Sequence, residues 1–526
     1  MLNKLIQYIP VSLIEWFENE ILSDYEQAKH FLNTVDPKLL EEISRRKALM
    51  IFQLAAQTTP AYRDFLRKHN LRSSMISTID QFDAQLPETD KENYIKKYTF
   101  EQRCREGHLP KRGNVDESGG TSGAPTNWIH DINETSLLFK AVDFEFNYIF
   151  RGDKKDYFVI SAWSSGPWAT GVKFCELMER VALVKNTTTD PQDIIRTMKL
   201  FGPDRNYLLG GYPPFIKNLF DDYEKEISWR SYNVDLITGG EAVPLEWVYY
   251  VRKKLKTGAK IASSYGASDI DIGIGFETPL AFAIREVVAQ NPRLHQELFS
   301  HSQLPMIFQY NPAVHYINEK RTVEGKQEFE ITLLDRHAAV PKIKYNLHDE
   351  GRKFSFYQLL DIIQTHEPQF FAEYLRHSPK RSEDVLHLPF LCIFGRSDGT
   401  LSFDGANVYP RQIEQAILTD KELILKMNRF KMEKRYDAKH NPLFYIHIEL
   451  KKNKSPSTQL SKKYFSTILN ELLRANPDYK ESYQHNRKLQ PIIRLYRFDH
   501  PLFRKDDTAI KNRYIMTAPS AVRTPQ

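Results

Sequence analysis

Cysteine is nearly absent from this chain, with three in 526 residues. Cys104, Cys175 and Cys392 stand far apart and form no CxxC pair, which argues against a zinc site or a disulfide framework and fits a reducing compartment. An excess of one charge is lacking too. The 73 Lys and Arg against 67 Asp and Glu leave +6, a mildly basic balance that suits an anionic cofactor. No nucleic-acid motif or aromatic–basic interleaving accompanies it, so no nucleic-acid partner is expected. No stretch comes near the roughly 18 uninterrupted apolar residues of a membrane span, and none is expected. The uncharged run Leu5–Ile14 could pass for a signal core, but it runs straight into Glu15, Glu18 and Glu20 without a small-residue cleavage pattern. It reads as an amphipathic helix packed on the body of a cytoplasmic protein. Repeats and low-complexity segments are also missing. What remains is long enough for two or more domains, with 41% hydrophobic residues to fill their cores.

Glycine is scarce as well, at 22 residues, and this makes one stretch stand out. In Ser118–Thr126, SGGTSGAPT, Gly119, Gly120 and Gly123 fall within five positions, with Thr121 and Ser122 between them. Glycines let the backbone turn with positive φ and approach a ligand closely. Successive amides in such a turn make a concave anion nest, to which the hydroxyls add donors. This is chemistry for holding phosphate, although it is not the GxxxxGK(S/T) loop, because no lysine follows the last glycine. A Gly/Ser surface turn is the other reading of the stretch alone.

The surrounding segments predict an α/β protein. Residues 1–110 read as mostly helical, with Asp36-Pro37 opening a long helix, and no chemistry is expected there. Asp156–Trp163, Leu208–Phe215, Val234–Thr238 and Ala259–Ser264 read as strands running into glycine-containing turns, among them Gly239-Gly240-Glu241 and Tyr265-Gly266. Ligands of such units sit beyond the strand C-termini. A boundary falls at Gly395–Gly399. Beyond it, one face of a strand (Phe444, Ile446, Ile448, Leu450), a helix (Leu460, Tyr464, Ile468, Leu472) and a strand at Pro491–Phe498 predict a compact α+β module. The expected organisation is a helical segment 1–110, a large α/β part 111–394 and a small C-terminal part 395–526.

Six motifs in order resemble those of the adenylate-forming superfamily of acyl-CoA synthetases, peptide-synthetase adenylation domains and luciferase, and within it the phenylacetate–CoA ligase-like branch. Ser118–Thr126 resembles the phosphate loop (S/T)SGTTGKP(K/T). Gly239-Gly240-Glu241 resembles the GGE turn beside the adenine, and Tyr265-Gly266-Ala267-Ser268-Asp269 the YGxTE element. Lys344–Asp349 resembles (R/K)YRTGD. Gly395–Glu414, GRSDGTLSFDGANVYPRQIE, resembles the hinge signature GRxDxxxxxxGxNVxPxxIE. Lys511–Tyr514 resembles the terminal GKxR(Y/F).

The resemblance implies a large α/β domain with an ATP cleft and a small mobile α+β lid. Nucleotide contacts fall on Ser118, Gly119, Gly120, Thr121, Ser122 and Gly123 of the loop, on Gly240, Glu241, Tyr265, Gly266, Ala267 and Ser268, and on Asp349 and Arg396. Asp349 could accept both hydroxyls of a ribose, or make a structural salt bridge. Arg396 could grip ribose or phosphate through its rigid fork. Asp398, next to Gly399, is the expected hinge, and Lys511 the charge that acts on the α-phosphate; with Thr121 these are the expected catalytic residues. Asp269 is the expected Mg²⁺ contact. The acid is expected near Trp163, Trp168, Tyr212, Phe215 and Ser264, although core packing accounts for each aromatic equally well.

The implied activity is ATP-dependent adenylation of a small carboxylic acid, followed by transfer to a thiol of CoA or a carrier protein. An amine acceptor is the alternative, as is a degenerate nucleotide-binding protein. The last is motivated by Ala124 in place of the loop lysine, Asp269 in place of glutamate (with Asp271 nearby), Ile510 in place of glycine, and Asn346-Leu347-His348 in place of Arg-Thr-Gly.

Overall fold

The computed structural model describes residues 9–21, 23–118, 125–166, 169–270, 273–299, 303–323, 325–376 and 385–504. The glycine loop 119–124 and the terminal motif with Ile510 and Lys511 lie outside these, as do Trp168 and Asp271.

The N-terminal part is helical, as its pattern predicts. Asp36 caps the helix Pro37–Thr58 by accepting from Lys38 N–H, with Pro37 in the first turn, where its missing N–H costs nothing. The apolar stripe Leu40, Ile43, Ala48, Ile51, Phe52 and Ala55 is fully buried. The first described helix, Val11–Ile21, buries Ile14 only, and leaves Leu13, Trp16 and Phe17 half exposed. No described helix is long and apolar enough to cross a membrane.

Next comes a hairpin, β1 (Gly113–Ser118) with β2 (Thr126–Asp131), in which Ser118 stands opposite Thr126. The glycine loop is therefore the connection of this hairpin. The central sheet has eleven strands: β3 (Tyr157–Ala162), β4 (Leu183–Asn186), β5 (Asn206–Gly211), β6 (Asn233–Thr238), β7 (Ile261–Tyr265), β8 (Gly275–Phe276), β9 (Met306–Gln309), β10 (His315–Arg321), β11 (Gln327–Leu333), β12 (Tyr345–Phe354) and β13 (Phe390–Arg396). Their order is β10-β11-β12-β13-β9-β8-β7-β6-β5-β3-β4. Strands β3 to β7 are parallel to one another, with helices in the crossovers. All six residues of β3 are buried, as two covered faces require. From β7 to β10 the sheet is antiparallel.

Leu208–Phe215 was expected to be a strand running into a glycine–proline turn, and here the chain leaves the strand directly into a helix. β5 stops at Gly211, and Pro213 and Pro214 form the first turn of the helix Pro213–Asp222. Proline is well placed there because its φ suits the helix and its absent donor would have had no partner.

After β13 the chain makes a short hairpin, β14 (Leu401–Phe403) with β15 (Ala406–Val408), and a three-stranded sheet of β16 (Met427–Tyr436), β17 (Pro442–Leu450) and β18 (Pro491–Tyr496). Phe444, Ile446, Ile448 and Leu450 are fully buried, facing Leu460, Tyr464, Ile468 and Leu472 of the helix Thr458–Ala475. The buried members of this core come from residues 403–489 alone. The three cysteines are buried and unbridged.

Candidate active site

The site forms where β6 and β7 end and β12 and β13 pass. Asp349 on β12 stands directly opposite Arg396 on β13. The Asp349 carboxylate is buried; its Oδ2 accepts a 2.6 Å hydrogen bond from the Tyr265 hydroxyl, and its Oδ1 lies 4.0 Å from Arg396 Nε. Burial raises its pKa, with Arg396 and Tyr265 pulling the other way. Arg396 in turn forks onto Asp398. Its Nη2 donates to Asp398 Oδ2 at 2.7 Å and its Nε to Oδ1 at 3.4 Å. Asp398 Oδ1 also accepts the Thr400 N–H at 3.0 Å. Against the desolvation that would raise it, Arg396 and Thr400 hold Asp398 down at about 2. Asp349, Tyr265, Arg396 and Asp398 thus form one connected cluster.

A second cluster lies at the base of the glycine loop. Ser118 Oγ accepts from Trp128 Nε1 at 2.8 Å and from Lys91 Nζ at 3.2 Å. Lys91 Nζ also sits 3.1 Å from Asp269 Oδ1 and 5.5 Å from the centre of the Trp128 ring. Asp269 Oδ2 accepts from the buried Tyr345 hydroxyl at 2.8 Å. Residues 1–110 were expected to carry no chemistry, yet Lys91 belongs to them. It brings a positive charge to the base of the loop, where Ala124 supplies none. Nothing local marks it in the sequence, since its partners come from three later segments.

The Gly239-Gly240-Glu241 turn leaves β6 with Gly240 at φ +81°, the left-handed conformation for which glycine is suited. Residues beyond β13 dock on it. Lys434 pairs with Glu241 and donates to Ser402 O at 2.7 Å. Asp404 N–H donates to Glu241 Oε1 at 3.0 Å, and Ser402 Oγ to Gly240 O at 3.2 Å. Burial and the nearby Glu241 charge push the Asp404 carboxyl up to about 7.

Below these turns opens a cavity with about 980 Å³ of empty space, its mouth included. Gly239, Gly240, Ser264, Gly266, Ala267 and Ser268 line one part of it, and Trp163, Phe146, Ile149, Phe174 and Met178 line another. Of the residues expected near the acid, Trp163 and Ser264 line this cavity, and Tyr212 and Phe215 do not. Because the helix begins at Pro213, Tyr212 becomes its N-cap, and its ring lies against Gly240 and Gly405, where a Cβ on Gly405 would come within 2.3 Å of it. Gly119, Gly120, Thr121, Ser122, Gly123 and Lys511 lie outside the described residues.

Among the described residues no group of three or more His, Cys, Asp or Glu is arranged to hold a metal. Asp269 is paired with Lys91.

No family model and no curated protein matches the chain. Solved structures do. 2-Hydroxyisobutyryl-CoA ligase in complex with its acyl-AMP and CoA, in the thioesterification state, superposes with a TM-score of 0.59 at 13% identity, over 90% of this chain and 89% of that one. The same ligase in an open conformation gives 0.51 at 12% identity, over 91% of each chain. In the postadenylation state with R3-HIB-AMP it gives 0.50 at 12% identity, over 91% and 89%. Over 90% of its length, then, this chain has the fold of the adenylate-forming acyl-CoA ligases.

Proposed function

We propose that this chain is an ATP-dependent ligase that adenylates a carboxylic acid and passes the acyl group to a thiol. The observation that carries the reading is the single cavity joining the turns after β6 and β7 to an apolar chamber, with the Asp349–Arg396–Asp398 cluster close by. The acid's body enters the chamber, its carboxylate meets the α-phosphorus of ATP at the turns, and pyrophosphate leaves. Catalysis of this kind is positioning and charge stabilisation, with no protein nucleophile required.

In this reading Asp349 and Tyr265 hold the ribose, and Arg396 lies between ribose and hinge. Ser118 and Lys91 anchor the phosphate loop (Gly119, Gly120, Thr121, Ser122 and Gly123). Mg²⁺ accompanies the triphosphate near Asp269 and offsets its charge. Residues 395–526 form the lid, turning on 395–399, and Lys511 is its contribution to adenylation. The greater likeness to the thioesterification-state ligase supports taking the lid docked on Gly240 and Glu241 as the acyl-transfer pose, with CoA or a carrier thiol as acceptor. The motif set favours the phenylacetate–CoA ligase-like branch.

The test is ATP–pyrophosphate exchange with Mg²⁺ over a panel of carboxylic acids. Exchange with some acid, then thioester formation on adding CoA, is expected. ATP binding without exchange for any acid would instead identify a degenerate nucleotide-binding protein, and amide formation without thioester an amine acceptor.

A further inference from the structure

The adenylation reading leaves one side chain in the chamber without a task. Glu145, on the helix Thr135–Phe150, lines the large cavity and also a neighbouring one of about 520 Å³. On the large-cavity side its neighbours are mostly apolar: Phe146, Ile149 and Phe150 from its own helix, Phe174 and Met178 from the next, and Phe276 from β8; Lys140, Asn311 and His315 share the smaller cavity with it. Among the described residues its carboxyl has no hydrogen-bond or ion-pair partner.

Glu145 is partly buried, and other carboxylates withdrawn from solvent are treated differently. Glu18 is paired with Lys47 at 2.7 Å, Glu277 with Arg285 at 3.1 Å and Glu330 with Lys344 at 3.1 Å. An unpaired carboxyl in an apolar wall is costly, and desolvation alone pushes that of Glu145 up to about 8. Nothing in the packing calls for it, since Phe146 and Ile149 show that the same wall accepts hydrocarbon.

We propose that Glu145 sets the substrate class: the chamber takes an acid whose apolar body carries a hydrogen-bond donor, a hydroxyl or an ammonium group, away from the reacting carboxylate. The reacting carboxylate belongs at the glycine turns, so the helix-lined part receives the rest of the molecule. A carboxyl has more lone pairs than protons in either ionisation state, so a donor on the ligand satisfies it whether or not it is charged, and an ammonium restores the charged form as an ion pair. A polar group buried in a pocket discriminates strongly against the analogue that leaves it unpaired. Assigning the reaction rests on the ligase reading; assigning the pocket's preference rests on Glu145 and the cavity.

Two measurements on the full-length chain keep these apart. Pyrophosphate exchange and, without ATP, titration calorimetry are run with phenylpropanoate and its para-hydroxy and para-aminomethyl derivatives, and with octanoate and its terminal hydroxy and amino derivatives. The parent protein should favour a donor-bearing acid over its plain analogue by about tenfold or more. Glu145→Leu should abolish or invert that preference while raising the melting temperature, because an unpaired, partly buried carboxyl is removed. Glu145→Gln should keep the hydroxyl preference and lose the ammonium one. Calorimetric selectivity that depends on Glu145, without exchange, overturns the ligase reading and upholds the pocket assignment. Exchange with no such selectivity, or selectivity that survives Glu145→Leu, overturns the pocket assignment and leaves the ligase intact. Binding of none of the acids overturns both.

Discussion

Asp349→Asn is the most discriminating single change at the proposed nucleotide site. One carboxylate oxygen already serves the Tyr265 hydroxyl at 2.6 Å, and in the proposed complex the carboxylate also receives the ribose diol. An asparagine can keep its amide oxygen toward Tyr265, but it presents an NH₂ where the second acceptor stood. The loss is one charge-assisted hydrogen bond, about 1.5–3 kcal/mol, or roughly tenfold to a hundredfold in ATP affinity. Stability should change little. Asp349→Ala also deprives the Tyr265 hydroxyl of its acceptor, and should therefore lower stability by about 1 kcal/mol as well. Titration calorimetry with ATP, paired with thermal melts of both variants, reads the two effects separately. An asparagine variant that binds ATP as tightly as the parent, or an affinity loss that only tracks a fall in melting temperature, would remove Asp349 from the nucleotide site.

Lys91→Met should slow pyrophosphate exchange by about tenfold or more, as expected when a preorganised charge is lost, with a larger effect on pyrophosphate than on acid affinity; equal rates would make Lys91 a structural partner of Asp269 only. Asp404, at φ +49°, can be replaced by asparagine, which tolerates that backbone. Its folded pKa of about 7 lies above the ordinary 3.8, so the folded state binds a proton more readily than the unfolded chain. Stability from this group is therefore present at low pH and lost as pH rises through that window. Melting of Asp404→Asn should gain on the parent from about pH 4 to about pH 7, and a parallel pair of curves would refute the assignment. Lys511→Ala should cut adenylation about a hundredfold or more while sparing acyl transfer from presynthesised adenylate. Asp398→Pro should do the opposite, because proline fixes φ; equal losses in both half-reactions would count against a turning lid.

Features written in local backbone chemistry were legible in the sequence. Asp36-Pro37 opens a helix, Gly240 turns out of β6 with positive φ, and the module after residue 399 buries the stripe Phe444, Ile446, Ile448 and Leu450. Features made by distant segments meeting were not. Lys91 reaches Ser118 and Asp269 from a helical region that showed only a packing pattern. Tyr345 supplies a hydroxyl to Asp269 from within a strand, where its ring alone is predictable. Tyr212 lies against Gly240 and Gly405, because two prolines that read as a turn start a helix. Glu145 looked like any polar position on an amphipathic helix; only the cavity around it sets it apart.

The rung that joins β12 to β13 has a consequence beyond holding two strands together. Arg396 is shared between the buried Asp349 and Asp398, the hinge residue of the proposed lid, and it holds Asp398 at 2.7 Å but Asp349 only at 4.0 Å. A ligand that changes the charge or position of Asp349 therefore changes how firmly Asp398 is gripped. By reciprocity, a pose of the proposed lid that a ligand at Asp349 favours must in turn favour that ligand by the same factor. Substitutions at Asp398 that touch no ligand should thus surface in binding assays, with no separate relay needed between the proposed lid and the site.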